Sequence, residues 1–184
     1  MDNFINTLNY LGGKLGLSPK SERFVDLEIF FLQCSLNFNK DERIKQTILN
    51  WLFEYGMLLS PSKIRRVMNE FDHDVDILEK LTVFLIEHNK VHLNWKILLG
   101  NSKKKSNIKF KENRLKYLKN KNFILKDVPE IRFRAEGRSQ VIADIMSYVS
   151  KSHFKSLYEL AKNIHSPRNR VNESYRQLNS FGIL

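Results

Sequence analysis

Apolar residues recur at steps of three and four along most of the chain, and this spacing predicts α-helices. Ser-Pro at 60–61 combines a capping side chain with a proline suited to a first helical turn. Residues 90–100 fit either a short strand or a last helical turn. The pattern therefore predicts helices at 21–38, 41–59 and 60–71, and a fourth that follows the break at 72–76 and ends near residue 89.

Three further helices are predicted at 138–152, 156–164 and 167–181, in the order that a helix-turn-helix requires. Ser156 can cap the second of them, and Glu159 can complete a capping box. The turn is 165–166, and Pro167 fixes φ at the first position of the third helix. Residues Val171, Tyr175 and Leu178, at i, i+4 and i+7, are expected to face the core.

This C-terminal region resembles the winged-helix superfamily of transcription regulators, including the MarR-type and ArsR-type proteins. The resemblance rests on SLYELAKNI, on HSPRNRVNESYRQL and on the exit LNSFGIL, and it covers residues 138–184. It implies a mainly α fold, with an N-terminal helical domain and a C-terminal winged helix-turn-helix. In that superfamily a β-hairpin, the wing, follows the third helix. Because the sequence stops at Leu184, the wing is expected to be absent or truncated.

Positive charge is concentrated in one segment of the chain. Residues 101–126 contain ten basic residues and one acidic residue, a net charge of +9 out of the +11 of the whole chain. A block of this kind favours a polyanion as partner, although a solvated lysine-rich linker has the same composition. The predicted organisation is thus a helical domain at 1–100, a basic connector at 101–128 and a winged helix-turn-helix domain at 129–184.

The third C-terminal helix carries the side chains suited to nucleic acid. Arginine can pair with the acceptor edge of guanine, asparagine can pair with adenine, and both can bind phosphate. The N-terminal half of a recognition helix makes most base contacts. The candidate DNA-binding residues are Arg168, Asn169, Arg170, Asn172 and Arg176 on this helix, and Lys103, Lys104, Lys105 and Lys109 in the connector.

Other groups of potentially metal-binding or reactive residues do not match a known type of site. The alternating aspartates at 72–76 lack the glycine and the glutamate of a calcium loop, so helix capping explains them better. His88 and His92 have no third ligand in sequence, and Cys34 lies in an apolar stripe typical of an inert core thiol. We therefore expect no metal, no cofactor and no enzymatic activity.

Composition points to a folded chain, because 42% of its residues are hydrophobic. No segment reaches the length of a membrane span, Asp2 lies where a signal peptide has basic residues, and a single cysteine fits a reducing compartment. We expect a cytoplasmic protein that does not bind membranes.

The sequence thus predicts a DNA-binding protein, a transcription regulator that binds double-stranded DNA. The alternative is a helical adaptor that uses the winged helix for protein contact and the basic strip for RNA. Adjacent Phe30 and Phe31 cannot share one helix face, so one should meet another element or another subunit. This predicts a homodimer built by residues 21–99. In the competing outcome, a monomer packs its surplus aromatics against the basic segment through Phe110, Tyr117 and Phe123.

Overall fold

The computed structural model describes residues 2–16, 23–88, 93–99 and 106–184. Within these ranges the chain is mainly α-helical, as predicted, and it contains no β-strand, so no wing strand occurs there. One isolated antiparallel bridge joins Gly13 to Leu118. None of the described helices is both long enough and apolar enough to span a membrane.

Among the residues that the structure describes, five α-helices form the N-terminal part and six follow. The first five are α1 (Asp2–Tyr10), α2 (Leu27–Asn37), α3 (Glu42–Tyr55), α4 (Pro61–Val67) and α5 (Val75–His88). The others are α6 (Arg114–Tyr117), α7 (Lys121–Asp127), α8 (Pro129–Ala135), α9 (Gln140–Val149), α10 (Leu157–Asn163) and α11 (Arg168–Ser180). Short 3₁₀ helices occupy Gly56–Leu58 and Leu93–Leu98. Of the two alternatives for residues 90–100, a strand and a last helical turn, the described part is therefore helical and not a strand.

Side-chain caps fix where several of these helices begin. Asp26 accepts hydrogen bonds from the backbone N–H groups of Glu28 and Ile29, so α2 starts at Leu27 and not at residue 21. Asp41 caps α3 in the same way, and Ser60 caps α4 ahead of its first-turn proline. The capping role expected for the 72–76 aspartates is confirmed at Asp74, which accepts from Ile77 N at 3.0 Å.

Helix α2 runs through the centre of the N-terminal core, and this explains the paired phenylalanines. Phe30 stacks on Phe4 at 5.7 Å and meets Trp51 edge-on at 5.0 Å, whereas Phe31 meets Trp95 of the second 3₁₀ helix at 6.1 Å. Both phenylalanines are buried within one chain. The homodimer therefore stays a prediction that these two residues do not support.

The described part of the basic segment packs against the N-terminal core on one side. Leu118 and Ile124 are fully buried in it. Phe110 contacts Phe53 at 5.3 Å and Phe84 at 5.1 Å. The lysines of this segment are exposed at 109, 111, 116, 121 and 126. The segment thus combines an apolar inner side with a cationic outer side.

Candidate nucleic-acid interface

Helices α9, α10 and α11 form a three-helix unit with a hydrophobic core of its own. The side chains predicted to face inward on α11 do so: Val171 and Leu178 are buried, and Tyr175, which is half-buried, contacts Phe154 edge-on at 5.7 Å. Because this core holds α11 from one side, its opposite side faces solvent. The buried members are Val141, Ile145, Tyr148, Leu160, Ala161, Ile164, Val171 and Leu178.

Helix α10 begins with a modified form of the predicted capping box. Ser156 Oγ accepts from the backbone N–H of Glu159 at 3.2 Å, as expected. The Glu159 carboxylate accepts from the backbone N–H of Lys155 at 2.8 Å, one residue before the position that the standard motif uses. Two N-terminal donors of the helix region are therefore satisfied, and the start of α10 is fixed.

The turn before α11 contains the strained backbone of the unit. His165 has a φ of +48°, a left-handed conformation that side chains other than glycine, asparagine and aspartate rarely adopt. The N–H of Ser166 donates to Ala161 O at 3.0 Å, and the N–H of His165 donates to Lys162 O at 3.2 Å. These bonds close the end of α10 and turn the chain directly into α11.

Four of the five candidate residues on α11 are exposed: Arg168, Asn169, Arg170 and Arg176. Asn169 also has a local role, because its Oδ1 accepts from the backbone N–H of Arg170 at 2.9 Å. Asn172 differs, since it is half-buried and its Oδ1 is enclosed without a hydrogen-bond partner. The outer face of α11 therefore presents three arginines and one of the two predicted asparagines.

The candidate lysines of the connector are in a different part of the chain. Lys109 is exposed, and its carbonyl oxygen accepts from Gln46 Nε2 at 3.2 Å, which holds this stretch against α3. Lys103, Lys104 and Lys105 lie outside the described residues, as does His92. The structure thus fixes a position for one of the four connector lysines, on the N-terminal part of the molecule.

A C-terminal cap ends α11. The N–H of Ile183 donates to Leu178 O at 3.1 Å and that of Gly182 donates to Asn179 O at 3.0 Å, with Gly182 at φ +64°. This is the Schellman arrangement, which suits glycine at the left-handed position. The glycine and the hydrophobic residue after it in LNSFGIL therefore form the end of α11.

A buried ion network joins the three-helix unit to the N-terminal part of the chain. Lys63 Nζ of α4 lies 2.7 Å from Asp144 Oδ2 of α9 and 2.6 Å from Asp26 Oδ2. Arg134 of α8 donates to Glu28 and, at 2.6 Å, to Asp144 Oδ1. The network consists of Asp26, Glu28, Lys63, Arg134 and Asp144, all of them buried.

The pairing in this network decides the charge states of its members. Burial alone would raise the pKa of the Asp26 carboxyl, yet Lys63 and His165 hold that pKa well below its usual range. Burial would likewise lower the pKa of the Lys63 amine, but Asp144 and Glu28 raise it above its usual value. Asp26 and Lys63 are therefore both charged at neutral pH, inside the protein.

Further contacts anchor the turn before α11 to the N-terminal part. Arg66 of α4 donates from Nη2 to His165 O at 2.5 Å. The His165 ring has its Nδ1 3.3 Å from Asp26 Oδ2, and it meets the Phe71 ring edge-on at 5.1 Å. The turn that positions the candidate recognition helix is thus itself positioned by α4 and its neighbours.

A second polar cluster reinforces this junction. Lys151, just beyond α9, pairs with Glu130 of α8 at 2.6 Å, and Glu130 accepts from the Tyr10 hydroxyl at 2.8 Å and from Val25 N at 2.9 Å. Sequence reasoning identified none of these polar residues as important. No local motif marks them, because their partners are distant along the chain.

In the parts of the chain that the structure describes, no three His, Cys, Asp or Glu side chains form a group that could hold a metal ion. Comparisons of the chain with family models, with curated proteins and with solved structures find no match.

Proposed function

We propose that the protein binds double-stranded DNA, with α11 as the helix that enters the major groove, and that it acts as a transcription regulator. The observation that carries the proposal is the outer face of α11, where Arg168, Asn169, Arg170 and Arg176 are all exposed on a helix held by its own core. A helix-turn-helix uses the N-terminal residues of such a helix to contact bases.

The chemistry of this face suits a nucleic acid. An arginine guanidinium can donate two parallel hydrogen bonds to guanine O6 and N7, and it can equally bind a phosphate. Arg168, Arg170 and Arg176 supply three positive charges, against one carboxylate at Glu173. The overall charge of +11 adds attraction for a polyanion that does not depend on sequence.

The test is binding of the purified full chain to labelled duplexes, measured by fluorescence anisotropy. One duplex is enriched from a random pool by the protein itself, and the other is an unselected sequence of equal length. Arg168→Ala and Arg170→Ala should weaken binding to the enriched duplex by about 1–3 kcal/mol and to the unselected duplex by less.

A matched variant is Lys80→Ala, which removes an exposed charge from α5. It should leave the preference between the two duplexes unchanged. Equal losses on both duplexes for the arginine variants would assign them to phosphate contacts. A wild-type chain that binds neither duplex would contradict the proposed function and favour the adaptor alternative.

A further inference from the structure

Helix α4 lies beside the start of α11 and is held there by buried contacts. Its Lys63 pairs with Asp144 at the base of the three-helix unit, and its Arg66 donates to the carbonyl of His165, two residues before Pro167. The two contacts come from adjacent turns of α4 and reach two different elements, α9 and the turn. The position of α4 relative to α11 is therefore fixed from both sides.

Two open grooves separate α4 from α11. The first, of about 390 Å³, is lined by Val67 and Glu70 on the α4 side and by Lys162 and Arg168 on the other. The second, of about 380 Å³, begins at Ser60 and Ser62 and is bordered by Arg170. The exposed face of α4 thus continues into the side of α11 that carries its first two arginines.

The outer face of α4 is polar and cationic. Arg65 and Arg66 follow Ser62 by three and four positions, so each shares a face of the helix with Ser62. Ser62 and Arg65 are exposed, and Arg66 is half-buried in its bond to the turn. The grooves are also lined by the carboxylates of Glu70 and Glu173. Arginine and lysine side chains outnumber these two carboxylates on the surface.

We infer that α4 is part of the DNA-binding surface, and that Arg65 contacts a backbone phosphate beside the groove that α11 enters. The inference rests on the proposed function. Elements next to a recognition helix typically meet the sugar-phosphate backbone at the edge of the groove, and such contacts set orientation and supply affinity for all sequences. An exposed arginine on a helix fixed against the start of α11 is suited to that role.

The same geometry argues against α4 as the recognition helix of a separate, second binding unit. Of the three basic residues in SPSKIRRV, Lys63 points into the protein interior and Arg66 is engaged at the turn before α11. Arg65 is left as the exposed basic residue of this helix. The α4 helix and α11 therefore form one continuous surface for a single duplex.

The test compares Arg65→Gln with Lys80→Gln in the full chain. Both variants remove one exposed positive charge, but only Arg65 belongs to the helix whose Arg66 is bonded to the turn before α11. The dissociation constant is measured on the enriched and the unselected duplex at a series of salt concentrations. Arg65→Gln should weaken binding to both duplexes by a similar factor and lower the slope of log K against log salt by about 0.9, the value for one phosphate contact.

The outcomes separate the inference from the proposed function. If the wild-type chain binds duplex DNA and Arg65→Gln changes the slope no more than Lys80→Gln does, the inference is wrong and the proposed function stands. If Arg65→Gln instead alters the preference between the duplexes, Arg65 contacts a base and the phosphate assignment fails. A wild-type chain without duplex binding overturns both. Circular dichroism and thermal melting confirm that each variant is folded.

Discussion

Lys63 Nζ lies 2.7 Å from Asp144 Oδ2, although the two residues are 81 positions apart in sequence. The pair joins α4 to α9 inside the protein, and neither side chain has access to solvent beyond a few per cent of its surface. A buried charge whose partner is removed remains desolvated without compensation, which is far more costly than losing a surface pair. The relationship therefore makes the junction between the two parts of the chain sensitive to single substitutions.

Lys63→Met should lower the free energy of unfolding by about 3–5 kcal/mol, the range for breaking a buried ion pair by deleting one partner. The substitution leaves Asp26, Glu28 and Asp144 close together with Arg134 as the remaining network cation. Urea unfolding followed by circular dichroism measures the change. Lys80→Met, on the exposed surface of α5, should change the same quantity by less than about 0.5 kcal/mol. Equal effects of the two substitutions would contradict the structural role of Lys63.

Asp26 should make the free energy of unfolding decrease as the pH is lowered. Its folded-state pKa is well below the usual 3.8, because Lys63 and His165 favour the carboxylate despite burial. The unfolded chain therefore binds the proton more readily, so this contribution is present above about pH 4 and is lost as the pH drops below it. Asp26→Asn should flatten the pH dependence of the urea midpoint between pH 5 and pH 3. Asp72→Asn, at an exposed carboxyl, should leave that dependence in place.

Gly12→Ala should destabilise the fold more than Gly137→Ala does. Both glycines have positive φ values, +111° and +76°, so both substitutions carry a backbone cost. A Cβ at position 12 would also overlap the buried Cδ1 of Ile124, whereas a Cβ at position 137 meets open space. Ile124→Val removes that methyl group. In a double-mutant cycle it should recover part of the loss caused by Gly12→Ala; strictly additive losses would show that the two residues do not interact.

The connector lysines should add affinity without adding sequence preference. Replacing Lys103, Lys104 and Lys105 by glutamine is expected to weaken binding to enriched and unselected duplexes alike. Each lost phosphate contact should reduce the log-log salt slope by about 0.9. Lys80→Gln, at an exposed position of α5 outside the connector, is the control and should leave the slope unchanged. An unchanged slope in the triple variant would identify the run as a solvated linker.

Features encoded by neighbouring residues could be predicted from sequence, and features encoded by distant residues could not. Ser156 and Glu159 are three positions apart, so the bond from Glu159 N–H to Ser156 Oγ could be predicted from sequence, and the same holds for the inward face of α11. Lys63 looks like any surface lysine of a basic helix, because its carboxylate partners are at positions 26, 28 and 144. Charge pattern alone therefore gives no sign that Lys63 is fully buried.

The first helix was missed for a related reason. Residues 2–10 contain four apolar residues but form too short a window for periodicity alone to indicate a helix, and α1 packs on the core through contacts such as the stacking of Phe4 on Phe30. In the other direction, Asn172 has the right residue type and position for base contact, yet its amide oxygen is enclosed. The packing of the three-helix unit decides which side of α11 is covered. Sequence spacing predicts the direction of the buried side but not the exact boundary, where Asn172 lies.

Because the amine of Lys63 is enclosed, chemical labelling of this lysine can measure how often the junction between α4 and its neighbours opens. An amine-reactive reagent can modify this lysine only during moments when α4 separates from α2 and α9, because the side chain is inaccessible in the closed protein. Its labelling rate, read by peptide mass spectrometry against that of exposed Lys80, therefore reports the equilibrium between closed and opened forms. If DNA engages α4 and α11 together, bound duplex should slow that rate, and Lys63 becomes an internal reporter of binding without any introduced probe.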